Sequence, residues 1–414
     1  MAARARWTDW LGLVRSNRHY RRFLLATIVS FMGSAVHVVG AAWLILQLTG
    51  QSYSVPLLLL ISALPGILFA PLIGSVVDRR HPRRVLMATD LVSAIVVLVI
   101  PIAAVAGRLA GWELYVVEFV LAFAGQFYLP ASRVLVRSLV TDGELLLANS
   151  TTTLIYQLGI ALGALGGGLL ITATSPVVAL AVNGASFAFS LACFATLPES
   201  APAAGGSPVP GGIWRDFLTG VGLLRDDGVA RHLFVLYLVL QGAHRFLTSL
   251  LAPLVHDALR QPAAVQGLLQ AVYSGGAVLA GLMIPVLVAR SGWRATLLLG
   301  TLGVALMIGL FALARSLWFA LPVYLVLAVL VQLWVSYQTA AQLRLPASAQ
   351  GRVFAAVGLV QSASGVLIFA ASAALLRLLP VQLVYAACAA LVAVASARSL
   401  AVLWNRPVAV ASVS

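Results

Sequence analysis

Lysine is absent from the 414 residues; all 26 basic side chains are arginine, against 12 acids. A P-loop needs the lysine of G-x-x-x-x-G-K-[ST], so a built-in ATPase of that type is excluded. H-E-x-x-H and G-x-S-x-G are missing too, and the chain reads as a non-enzyme without a cofactor. Cysteine is scarce: Cys193 and Cys388 fall in apolar stretches without C-x-x-C spacing, which argues for packing and against a disulfide framework or zinc site. No histidine stands at ligand spacing from another histidine or an acid, so no metal site is expected. Charged residues make up only 9%, against about a quarter in soluble domains. No soluble domain of useful size fits such a chain, and the net charge of +14 therefore does not imply a nucleic-acid partner.

What is present is apolar. Hydrophobic residues make up 61% of the chain and mean hydropathy is +1.02. A bilayer core of about 30 Å takes about 20 apolar residues per helix. Charged and Gly/Pro-rich breaks predict twelve such helices, over 23–48, 56–77, 85–105, 113–136, 148–172 and 177–197, then 229–255, 264–288, 293–313, 317–343, 353–376 and 381–404. The expected class is an all-α membrane protein embedded in the lipid bilayer. Segment 1–22 is polar and basic, without the apolar core and cleavage site of a secretory signal, and is expected in the cytoplasm.

Arginine placement sets the orientation. Twenty-one of the 26 fall on one face, whereas the other has Arg108, Arg260, Arg315 and Arg377, and Arg245 lies inside a helix. The positive-inside rule then puts both termini in the cytoplasm. A Pro/Gly/Ala/Ser-rich linker begins at Pro198, and 213–224 carries apolar residues at helical spacing, as an interfacial helix does. The expected parts are an N-terminal segment 1–22, a six-helix bundle 23–197, a linker 198–228, a second bundle 229–405 and a tail 406–414. An offset of 211 carries Phe23 to Phe234, Arg79 to Arg290, Arg83 to Arg294 and Arg133 to Arg344, which points to two pseudo-symmetric six-helix halves. The same offset carries Asp78 to Ala289, so the acid is lost in the second copy.

The most polar stretch is 74–86, Gly-Ser-Val-Val-Asp-Arg-Arg-His-Pro-Arg-Arg-Val-Leu, which reads as a tight turn at a membrane face, with His81 capping it. With Gly74, Asp78, Arg79, Arg83 and Arg84 it resembles the signature loop of the major facilitator superfamily, though His81 replaces the usual glycine. Gly159, Gly163, Gly166 and Gly167 resemble the glycine motif of the antiporters in that superfamily; a plain packing seam accounts for them almost equally well. Phe127, Tyr128, Pro130, Ala131 and Arg133, then Leu146, Ala148, Asn149 and Ser150, with Gly351 to Val353, are similar to the drug:proton antiporter branch that includes macrolide, tetracycline and siderophore exporters. That resemblance implies the major facilitator fold. It also implies a gating latch in which Asp78 caps a helix of the other half and pairs with an arginine, Arg133 or Arg137. Depth along the helices predicts in addition that Asp90 pairs with Arg133.

A second polar layer lies deeper. His37 is 14 residues past Phe23 and Arg245 is 16 past Val229, which puts both about 21 to 24 Å from the inner face, at about 1.5 Å per residue. Glu118 reaches that layer from the opposite side. Two readings stand side by side: Glu118 carries a proton tuned by His37 and Arg245, or it meets headgroup water or forms a fixed ion pair with Arg245. Ser34, Gln126, Tyr237, Gln241, His244, Trp334, Tyr337 and Gln338 are expected to line a substrate cavity suited to a large amphipathic ligand. The expected function is proton-coupled efflux of amphipathic drugs or natural products from the cytoplasm by a monomer in the cell membrane, with a siderophore or lipid-like molecule as the alternative substrate.

Overall fold

The computed structural model describes residues 7–199, 222–223, 227–345 and 347–404; for 7–11, 70–71, 74–75, 78, 347–349, 351–352 and 355 only the backbone is described. The linker from residue 200 on and the expected interfacial helix, apart from 222–223, lie outside these residues. Among the described residues every regular element is helical. They are α1 Trp7–Ser16, α2 Arg18–Thr49, α3 Ser54–Leu68, α4 Ala70–Arg79, α5 Pro82–Val105, α6 Gly111–Gly125, α7 Tyr128–Leu139, α8 Leu145–Ala173 and α9 Pro176–Ala195. There follow α10 Gly228–Pro253, α11 Ala263–Leu298, α12 Val304–Ala312, α13 Leu317–Val331, α14 Trp334–Arg344, α15 Ala347–Leu376 and α16 Val381–Trp404.

Local chemistry sets several of these ends. Asn17, Ser175, Asp227 and Ser316 each accept a backbone N–H with the side chain and start α2, α9, α10 and α13. Pro82 and Pro176 open α5 and α9, where a missing N–H costs nothing. Gly50 ends α2 in the left-handed region at φ 65°. His81 holds the N-cap position of α5, but its ring makes no capping hydrogen bond. Pro82 at the first helical position, rather than the His81 ring, accounts for the turn.

Among the described residues ten helical stretches are long and apolar enough to cross a membrane. Ala263–Ala312 runs for 50 residues, about 75 Å at 1.5 Å per residue and so more than twice the bilayer core. It is interrupted by Gly292 at φ 72°, ψ 172°. The expected span 56–77 is divided at Phe69 into α3 and α4, each too short to cross alone. The expected spans 113–136 and 317–343 also break, at 126–127 and 332–333.

The chain divides into two units. Unit 1 comprises Met1–Gln51, Ile61–Ser207 and Pro262–Ala271, and unit 2 comprises Ser52–Leu60, Pro208–Gln261 and Val272–Ser414. In unit 1, α2 packs against α8 and α9, and α5 packs against α9. Its core gathers Tyr20, Phe23, Leu86, Tyr128, Leu135 and Phe194. In unit 2, α10 packs against α14, α15 and α16, while α12 packs against α16. Phe311 stacks on Tyr324 there, with centroids 4.9 Å apart.

Candidate functional site

Two helices distant in sequence meet inside unit 1. His37 of α2 and Glu118 of α6 are 2.5 Å apart, Nε2 to Oε1, and the two side chains are 6% and 14% exposed. At that distance the imidazole and the carboxyl group are hydrogen-bonded, the His37 tautomer setting which of them donates. The other ring nitrogen of His37, Nδ1, is buried without a partner. Six residues further along α2, Trp43 Nε1 donates to Gln266 Oε1 at 2.6 Å. Gln266 escaped the sequence reading, because nothing local marks a glutamine 223 residues away as its partner.

Small residues let α2 sit this deep. A Cβ at Gly163 would overlap the Met32 backbone, and one at Gly167 would stand 2.8 Å from the Val36 Cα. Gly159 faces the same helix, with a Cβ position 3.0 Å from that of Phe31. On the opposite side, Gly33 and Gly40 of α2 admit the side chains of α9. Gly166 has nothing within 4 Å, so three of the four motif glycines form the seam that carries His37 and the fourth does not.

The charged turn ties α5 to α9. Arg83 donates from Nε to the Phe194 carbonyl at 3.0 Å and from Nη2 to the Ala195 carbonyl at 2.6 Å, a favourable placement of a cation at a helix C-terminus. Arg84 reaches Glu199 Oε1 at 3.1 and 2.8 Å, holding that carboxyl below its ordinary range. Glu199 was missed because its partner lies 115 residues away. Arg79 is exposed. The side chains of Gly74 and Asp78 lie outside the described residues.

The expected Asp90–Arg133 pair does not form. Asp90 is fully buried, with neither carboxyl oxygen hydrogen-bonded, whereas Arg133 is exposed. Tyr128, close enough to Asp90 for the two to interact electrostatically, lies five residues before Arg133, and at about 100° per residue this puts the two about 140° apart on α7. Arg137, one turn beyond, is also exposed and has no ion pair among the described residues.

The remaining candidates lie in unit 2, apart from Ser34 and Gln126. Ser34 is half-buried on α2, and Gln126 is exposed, its amide over Gly66 of α3. Arg245 of α10 lies over Gly365 of α15, and its guanidinium makes no hydrogen bond or ion pair among the described residues. His244 stacks on Tyr273 with centroids 4.8 Å apart. Tyr237 donates to Gln361 Oε1 at 3.1 Å and meets Trp334 edge-on at 5.7 Å. Gln241 and Gln338 are half-buried. Tyr337 corrects its expectation as a cavity wall: it is fully buried, and its hydroxyl donates to the carbonyls of Thr296 and Leu297. An ion pair not foreseen joins Arg344 Nε to Asp227 Oδ2 at 3.1 Å. Among the described residues no cluster of His, Cys, Asp or Glu could hold a metal ion.

Described elements that are all helical, ten stretches of them long and apolar enough to cross a membrane, with a buried polar pair joining two helices, define a polytopic membrane protein. The family described as transmembrane secretion effectors, within the major facilitator superfamily, matches residues 14–407, and the chain belongs to it. It is 27% identical over 356 residues to the multidrug efflux pump Tap of Mycolicibacterium fortuitum, covering 83% of this chain and 85% of that one. Macrolide efflux protein A of Streptococcus pyogenes is 27% identical over 117 residues, 28% of this chain and 29% of its own. The structure of the nucleoside transporter NupG superposes with a TM-score of 0.72 at 13% identity, covering 94% of this chain and all of that one. A bacterial homologue of the lysosomal transporter Spinster gives 0.70 at 13% identity, covering 94% and 96%. At these identities the solved structures speak for the fold alone.

Proposed function

We propose that the protein is a proton-coupled exporter of amphipathic drugs or natural products that works by alternating access. In this reading twelve membrane helices form two six-helix halves, 23–197 and 229–405, joined by a cytoplasmic linker 198–228, with cytoplasmic ends 1–22 and 406–414. The observation that carries it is the buried His37–Glu118 couple. A carboxyl and an imidazole are both groups that can take up a proton, and one carried there exchanges when the surrounding helices part and water enters. Efflux by the relatives Tap and macrolide efflux protein A supports the direction and the substrate class. Asp78 acts as the latch residue of the cytoplasmic gate, with the charged turn only in the first repeat. The unpaired guanidinium of Arg245 favours a second substrate reading, a siderophore or lipid-like molecule with an anionic group.

Dye and antibiotic accumulation tests the reading, in cells with no protein, with wild type or with Asp78→Asn. Wild type lowers accumulation several-fold, a proton uncoupler restores it, and Asp78→Asn gives an intermediate level. Equal accumulation with and without the wild-type protein contradicts drug export.

A further inference from the structure

Arg133 and Arg137 were expected to serve a gating latch, yet both guanidiniums are free of hydrogen bonds and ion pairs among the described residues. Their neighbours in the charged turn differ: Arg83 is held by two carbonyls and Arg84 by Glu199. The free pair is not scattered over a surface. It lines one wall of a pocket of about 540 Å³ within unit 1, between α7 and α8.

Helical spacing builds the pocket from both sides. Leu129, Arg133 and Arg137 repeat every four residues and form one stripe of α7. Asn149, Thr153 and Tyr156 present the facing stripe of α8. Tyr156 Oη and Ser132 Oγ lie 3.1 Å apart and bridge the two helices at the pocket floor. Leu145 and Val136 add apolar wall. No carboxylate among the described residues lines the pocket, and the nearby Glu144 is committed to the N–H and hydroxyl of Thr141.

Two like charges one turn apart on a helix repel each other, and among the described residues no carboxylate pairs with either of them. Guanidiniums with free N–H forks, an amide and a hydroxyl make a donor-rich site that matches a planar or tetrahedral oxyanion. The leucine and valine walls match an apolar body attached to it. We infer that this pocket is a binding site for an amphipathic oxyanion, in which Arg133 and Arg137 clamp a phosphate, sulfonate or carboxylate head and the α7–α8 walls hold its apolar part. The site is separate from the His37–Glu118 couple and requires no proton coupling.

Calorimetric titration of the full-length protein in phosphatidylcholine nanodiscs tests it, with phenyl phosphate, inorganic phosphate and phenol as probes and empty nanodiscs as blank. Phenyl phosphate binds most tightly, inorganic phosphate more weakly, and phenol shows no saturable binding. Arg133→Gln with Arg137→Gln weakens phenyl phosphate at least about tenfold, in keeping with the loss of two charge-assisted contacts. The double lysine variant, Arg133→Lys with Arg137→Lys, keeps the charge but not the forks, so it binds phenyl phosphate more weakly than wild type and more tightly than the double glutamine variant, which shows that the helix is intact. Repeating the titration in phosphatidylglycerol nanodiscs separates the sources: competition by the lipid identifies a headgroup as the occupant, and unchanged affinity identifies a soluble compound. Phenyl phosphate binding that survives the double glutamine substitution, or phenol binding as tightly as phenyl phosphate, overturns the inference.

Discussion

Asp227 and Asn17 do related work with different charge. Asn17 caps α2 through the Tyr20 N–H and donates its own amide to the Leu139 carbonyl at 2.6 Å, tying the start of α2 to the end of α7. Asp227 caps α10 through Val229 and Ala230 and binds Arg344, tying the start of α10 to the end of α14. Burial pushes the Asp227 carboxyl up, but the backbone N–H groups and the Arg344 guanidinium outweigh it and hold the group below its ordinary value. A depressed carboxyl stabilises the folded state above its unfolded pKa, about 3.9, and that contribution is lost as pH falls through the folded value. Asp227→Asn keeps a good cap but loses the ion pair. It is expected to lower stability by about 0.5 to 1 kcal/mol near neutral pH and to flatten the fall in melting temperature below about pH 4. Asp227→Ala costs about 1 kcal/mol more through the lost cap. Thermal unfolding of the purified protein across pH reads both effects.

At the scale of elements, α8 separates two roles that its sequence runs together. Gly163 and Gly167 admit the α2 backbone, whereas Gly166, at similar spacing, meets nothing. Gly163→Ala is expected to push α2 and α8 apart and cost about 1 to 3 kcal/mol, as overpacking does. Gly166→Ala is expected to be neutral or slightly stabilising, since alanine favours the helix by up to about 1 kcal/mol. Paired melting temperatures of the two variants measure the contrast. The spacing alone could not say which glycine faces a neighbour, because residues three and four apart share one side of a helix. Helix breaks were equally hidden: 113–136 reads as one apolar run, yet it divides at 126–127 into α6 and α7.

At the scale of the whole molecule, membrane character was legible from composition, because long apolar runs have few alternatives to a bilayer. Depth was legible too, since rise per residue is fixed, and His37 and Glu118 stand in one layer and in contact. The same arithmetic assigned Asp90 to Arg133, and there it failed. Depth fixes height along a helix but not the direction in which a side chain points, and Arg133 points away. Partners such as Gln266 for Trp43 or Glu199 for Arg84 depend on which helices touch, which no single stretch of sequence states.

The central claim is that the His37–Glu118 couple carries the exchanged proton. It is tested most directly by substrate-driven proton movement in proteoliposomes containing wild type or Glu118→Gln, with substrate binding measured in parallel. The account predicts that Glu118→Gln still binds substrate but moves protons at less than about a tenth of the wild-type rate, the scale of losing a group needed for proton transfer. Proton movement at the wild-type rate in Glu118→Gln would contradict it.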